Sequence, residues 1–137
     1  MVDNNFARLQ RLQNAAARII VGVPKFQSIS PVLRDLHWLR VRERSPYKVL
    51  VLVHRAVNSR GPVYLRNLVS LHVPTRALRS AGKGLLVRPR TRCKAGDASF
   101  VAAAADLWNA LPASVRELPS EATFKKALKT HFFNTTS

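Results

Sequence analysis

The sequence predicts a mainly α-helical fold, a small single-domain helical bundle whose helices flank an irregular basic segment of loop with one or two short strands. Three observations lead there. Apolar residues recur at helical spacing towards both ends of the chain; Gly and Pro interrupt that pattern at intervals suited to short helices; and helical periodicity vanishes from Leu71 to Asp97, where positive charge is densest. With 137 residues, 47% of them hydrophobic, the chain can bury a core and is too apolar for a disordered basic tail. The organisation is read as one helical domain over 1–137. It comprises an amphipathic N-terminal helix at 4–22, a basic loop and strand segment at 71–97, and C-terminal helices at 98–133.

In the first helix Phe6, Leu9, Leu12, Ala16, Ile19, Ile20 and Val23 form an apolar stripe with Arg8, Arg11 and Arg18 on the other side, and Gly22 with Pro24 ends it. Ser30 is expected to cap a short helix that opens on Pro31 and runs to Leu39, with Leu33 and Leu36 inward. Ser45 then caps a helix from Pro46 to Val57. It is apolar nearly all round, as suits a central helix, although its valines equally suit a buried strand. After the breakers Asn58, Gly61 and Pro62, a short helix covers Val63 to Ser70.

Beyond the basic segment, Asp97 is the expected N-cap of a helix from Ala98 to Leu111, with Phe100, Ala103, Ala104, Leu107 and Leu111 on its inner stripe. Pro112 stops that helix, and Val115 with Leu118 makes a further turn. Ser120 caps a last helix that turns Phe124, Ala127, Leu128 and Phe132 inward and Lys125, Lys126 and Lys129 outward. Trp108 stands beside the stripe, where a packed ring with its indole N–H on a backbone acceptor is expected.

Charge points to a function. The formal net charge is +16, which favours anionic partners and salt-dependent binding. From Arg44 to Gly96 there are twelve Lys or Arg and no Asp or Glu. Within that stretch Arg76, Arg79, Lys83, Arg88, Arg90, Arg92 and Lys94 are the candidate nucleic-acid-binding residues. The last four alternate strictly, so an extended backbone would set them along one edge at roughly 6.6 Å intervals, close to the phosphate spacing of a single strand. Leu85, Leu86 and Val87 would anchor that edge to the core. Repeated cations of this kind contact phosphates and tolerate sequence, so either RNA or DNA is the expected partner.

Enzyme chemistry is not expected. The seven acids, Asp3, Asp35, Glu43, Asp97, Asp106, Glu117 and Glu121, form no paired spacing for metal or acid–base work. Asp35 and His37 lie two apart and so on different helix faces. The lone Cys93 excludes an internal disulfide, and His37, His54, His72 and His131 lack zinc-ligand spacing, so no metal or cofactor is expected. Gly82-Lys83-Gly84 lacks the rest of a phosphate loop. The apolar run Val49 to Val53 is too short to cross a bilayer, no secretory signal is seen, and a nuclear or cytoplasmic location is expected. An Arg-rich amphipathic start also suits a mitochondrial transit peptide, the lesser alternative.

Several longer words occur in a familiar order. Leu9-Gln-Arg-Leu-Gln-Asn-Ala-Ala-Ala-Arg-Ile-Ile20, Ser30-Pro-Val-Leu-Arg-Asp-Leu-His-Trp-Leu39 and Val41-Arg-Glu-Arg44 are followed by Leu78-Arg-Ser80 and Val87-Arg-Pro-Arg-Thr-Arg92. Gly96-Asp97, Leu107-Trp-Asn-Ala-Leu-Pro112, Thr123-Phe-Lys-Lys126 and His131-Phe132 complete the series. Together they resemble the region after the polymerase core in LINE-type (non-LTR) retrotransposon reverse transcriptases. The resemblance implies the carboxy-terminal part of a protein that nicks DNA and copies its RNA from the nick, gripping RNA or DNA or docking on the polymerase core. That polymerase's catalytic carboxylates are absent, so no polymerase activity of its own is expected. The chain departs from the family's words at Ala105-Asp106, Ala98 and Pro46. Two alternatives stand beside nucleic-acid binding: a protein-interaction module that docks its central helix and Leu107-Trp108 region on an acidic partner, and a decayed or repurposed fragment of such an element.

Overall fold

The computed structural model describes residues 2–71, 84–90, 92–93 and 99–136. The described residues form seven helices: α1 (Val2–Val21), α2 (Ile29–Asp35), α3 (Val41–Val57), α4 (Val63–Leu68), α5 (Phe100–Ala110), α6 (Ala113–Arg116) and α7 (Glu121–Thr135). The mainly α class is as the periodicity predicts. They fall into two compact units, one of residues 1–47 and 128–137 and the other of residues 48–127.

In the first unit, α1 and α2 close on Ala17, Val32 and Leu33, with Val23, Ile29, Leu36 and Trp38 packed around them. The face that α1 turns inward is not its apolar stripe. Gln13 and Ala17 are buried, and Gln10 is half-buried. Leu9, Leu12, Ile19 and Ile20 stand exposed at 50, 68, 81 and 60%.

Hydrogen bonding explains the inversion. The Gln13 side chain donates to the Leu39 carbonyl at 2.8 Å, and Gln10 Oε1 accepts the Val41 N–H at 2.9 Å while its amide nitrogen donates to Gln13 and Asn14. A helix start leaves N–H groups without intrahelical partners, and a buried one left unmet costs about 1–3 kcal/mol. The amide face of α1 meets that need.

The same contact moves the start of α3. The helix begins at Val41, four residues before the expected Ser45 cap, and carries Pro46 inside. Pro46 has no N–H to give to the Arg42 carbonyl, so the early turns are held from outside the helix. The α2 start also differs from the expectation at Ser30. Ser28 is the N-cap, without a side-chain bond, and the Ser30 hydroxyl accepts from Arg40 Nη2 at 2.8 Å. The helix ends where His37 adopts a left-handed φ of 56°, with Trp38 N–H on the Leu33 carbonyl and His37 N–H on that of Arg34.

In the second unit, Leu50, Val51, Val53 and Ala56 of α3 are buried, as are Ala102, Ala104, Ala105 and Trp108 of α5, with Leu111, Val115 and Phe124. Of the expected stripe Ala104 and Leu111 are buried and Phe100, Ala103 and Leu107 are half-buried, so the inner face is turned from that stripe towards Ala105 and Trp108. Small alanines leave room for the large indole. Ser99, whose hydroxyl accepts the Ala102 N–H, caps the helix, whereas the expected cap Asp97 lies outside the described residues. His54 is buried and stacked on Phe124 with ring centroids 4.2 Å apart; its Nε2–H donates to the Leu118 carbonyl at 2.7 Å. The carbonyl can only accept, so it fixes which ring nitrogen carries the hydrogen.

Candidate nucleic-acid interface

Three of the seven predicted cations, Arg88, Arg90 and Arg92, are described, and all three are exposed. Arg76, Arg79, Lys83 and Lys94 lie outside the described residues. What holds Arg88 and Arg90 in place comes from α5, and the attachment begins with backbone groups.

Gly84 turns the chain with φ 62°, a region that favours a residue without a Cβ, and its carbonyl accepts the Trp108 indole N–H at 2.8 Å. Two residues on, Leu86 is buried, and both of its backbone groups meet one side chain. Its N–H donates to Asn109 Oδ1 at 2.8 Å and its carbonyl accepts from Asn109 Nδ2 at 3.0 Å. On its other side Leu86 makes an isolated antiparallel bridge with Leu71, and Val87 N–H donates to the Ser70 carbonyl at 2.8 Å. Asn109 thus acts as a strand of one residue. The expected anchoring of the edge is carried by Leu86; Leu85 is half-buried and Val87 largely exposed.

Two expectations need correction. Among the described residues, pairing in the segment goes no further than the Leu71–Leu86 bridge, and Arg92 with Cys93 forms a bend, so the alternating cations do not line a regular strand. Pro89, between Arg88 and Arg90, has no N–H for a ladder. Nor is the charge wholly without an internal counterweight, because Arg88 Nε donates to Asp106 Oδ1 at 2.8 Å. The pair is exposed on both sides, a setting in which ion pairs contribute roughly 0–1 kcal/mol. Arg90 and Arg92 make no ion pair among the described residues.

Sequence reading missed the two α5 residues that face the segment, Asp106 and Asn109. Their signal was present. Three apart, they share a helix face, next to the tryptophan that was singled out. Arg116 Nη1 adds a bond to the Asn109 carbonyl at 3.2 Å.

A second charged group of this unit is centred on Glu121. Glu121 accepts from Arg55 Nη2 and from Lys125 Nζ, each at 2.7 Å. The Arg55 bond first, and the Lys125 bond after it, hold the Glu121 carboxyl down at about 2, and Arg55 is raised in return. In residues 48–127 there are fourteen Lys or Arg against four Asp or Glu. Among the described residues no group of three or more His, Cys, Asp or Glu is placed to hold a metal ion, and no helix is long and apolar enough to cross a membrane.

Comparison with protein-family models, with curated proteins and with solved structures finds no match to this chain.

Proposed function

We propose that the chain is a nucleic-acid-binding domain that grips the phosphate backbone of RNA or DNA, similar in role to the region after the polymerase core of a LINE-type reverse transcriptase and without polymerase activity of its own. The observation that carries the reading is the pairing state of Arg90 and Arg92. They are exposed and have no carboxylate partner among the described residues, on a segment that Asn109 and Trp108 pin to α5. Unpaired guanidinium groups two residues apart on an anchored segment suit the regular negative charge of a single strand. Arg88 joins them by exchanging Asp106 for a phosphate, at small cost because the pair it leaves is solvated. Neither backbone anchor reads a base edge, so binding is sequence-tolerant.

The docking alternative loses its expected surface. Leu50, Val51 and Val53 of α3 are buried, and Trp108 is buried in α5. Fluorescence anisotropy with labelled single-stranded RNA, single-stranded DNA and duplex DNA at low salt tests the proposal. Binding to at least one of them, weakened by replacing Arg88, Arg90 and Arg92 together with alanine, is expected. Equal affinity of the triple variant on all three would overturn it.

A further inference from the structure

The outward face of α1 has no role in the nucleic-acid reading, and its pattern is specific. Leu9, Leu12, Ala16 and Ile19 follow a three-four-three spacing, the seam by which one helix packs along another. Leu9, Leu12 and Ile19 are half or more exposed, and Ile20 widens the seam at its end. The inward face is already committed to the amides that serve Leu39 and Val41. Large aliphatic side chains thus stand exposed from Leu9 to Ile20, about 17 Å of helix, a contiguous apolar stripe of the kind that marks an interaction site.

Charge selects the occupant. Arg8 and Arg11 are exposed along one flank of the seam, and an open groove of about 850 Å³ beside it is bordered by Arg11, Arg18 and Lys25. The acid of α1 is Asp3, and it is taken by Arg42 at 2.5 Å. A second copy would set Arg8 and Arg11 against like charge between two bodies of +16 each. An anionic bilayer would suit the arginines, but membrane-surface helices present a broad apolar face with bulky anchors. Here the seam carries Ala16 at its centre, and Phe6, the aromatic residue in line with it, is half-buried with the Arg42 guanidinium 5.7 Å over its ring.

We infer that α1 is the docking surface for an acidic amphipathic helix of another protein or of another part of a longer polypeptide, which lays an apolar stripe along Leu9, Leu12, Ala16 and Ile19 with carboxylates beside Arg8 and Arg11. Ala16 lets the two backbones approach closely, and the flanking arginines set the sign of the partner.

The test uses two synthetic three-heptad helices with leucine at both seam positions, one flanked by glutamates and one by lysines, and vesicles of phosphatidylcholine with phosphatidylserine. The full chain should bind the glutamate helix and not the lysine helix. Leu12→Gln with Ile19→Gln should weaken that binding roughly tenfold or more, the scale expected when central apolar anchors are lost, with helix content by circular dichroism and RNA affinity both unchanged. Arg8→Glu with Arg11→Glu should transfer the preference to the lysine helix. The inference is overturned by equal binding of the two helices, by vesicle binding without binding of the glutamate helix, or by self-association that the glutamine variant abolishes.

Discussion

Asn109 and Leu86 exchange two hydrogen bonds, at 2.8 and 3.0 Å, so that one amide side chain on α5 satisfies both backbone groups of a buried residue in the basic segment. Among the described residues Leu86 has no strand partner beyond its single bridge to Leu71. Asn109 accordingly fixes Leu86 against the helix, alongside the Trp108 bond to the Gly84 carbonyl. Replacing Asn109 by alanine removes donor and acceptor together and leaves two polar groups short of partners, at a cost of about 1–3 kcal/mol. Thermal unfolding should show the loss, at roughly 4 °C per kcal/mol for a chain of this size. Asn109→Asp keeps the acceptor but not the donor and should fall between the two. Equal stability of the alanine variant and the parent would show that the segment is held some other way.

Glu121 makes stability depend on acid. Its carboxyl is held at about 2 in the folded chain, against an ordinary value of 4.5, chiefly by the bond from Arg55. A carboxylate whose folded value is depressed contributes fully above its unfolded value and loses that contribution as pH falls through the folded one. Stability should therefore fall from about pH 4.5 towards pH 2. In Glu121→Gln this part of the acid dependence should be absent, with lower stability at neutral pH. Denaturant midpoints of the two chains across that range measure the difference, and parallel curves would contradict the assignment.

Asp106 competes with nucleic acid for Arg88. The ion pair is exposed, so Asp106→Asn should change stability by no more than about 1 kcal/mol. Affinity for single-stranded RNA should rise instead, because a negative charge leaves the surface and no longer competes with phosphate for Arg88. The salt slope should stay close to that of the parent chain, because Arg88 already meets a phosphate in the bound state and only the cost of leaving Asp106 is removed. An affinity that falls would mean that Asp106 positions Arg88 for its partner.

How far the chain could be read in advance depended on whether the deciding contact was local. Helices α1, α3, α5 and α7 were legible because apolar period and the breakers Gly22, Asn58 and Pro112 are properties of neighbouring residues. The start of α3 was not, since the group that meets the Val41 N–H is Gln10, far away in sequence. The orientation of α1 was hidden for the same reason. Period identifies an apolar stripe, while the decision to bury the Gln10/Gln13 face depended on backbone groups at Leu39 and Val41. At the candidate interface, the exposed arginines could be read from charge alone. Their attachment through Asn109 could not, because it matches a helix side chain to a strand edge only one residue long. The packed state of Trp108 was legible, as a buried indole needs an acceptor; which carbonyl supplies it, that of Gly84, was not.

The most direct test of the account is the salt dependence of binding to single-stranded RNA. For about five neutralised phosphates, log affinity should fall against log salt with a slope of about −3.5, and replacing Arg88, Arg90 and Arg92 by alanine should make it shallower by about 2. A flat response in the parent chain, or the same slope in the triple variant, would contradict the claim that these arginines hold a phosphate backbone.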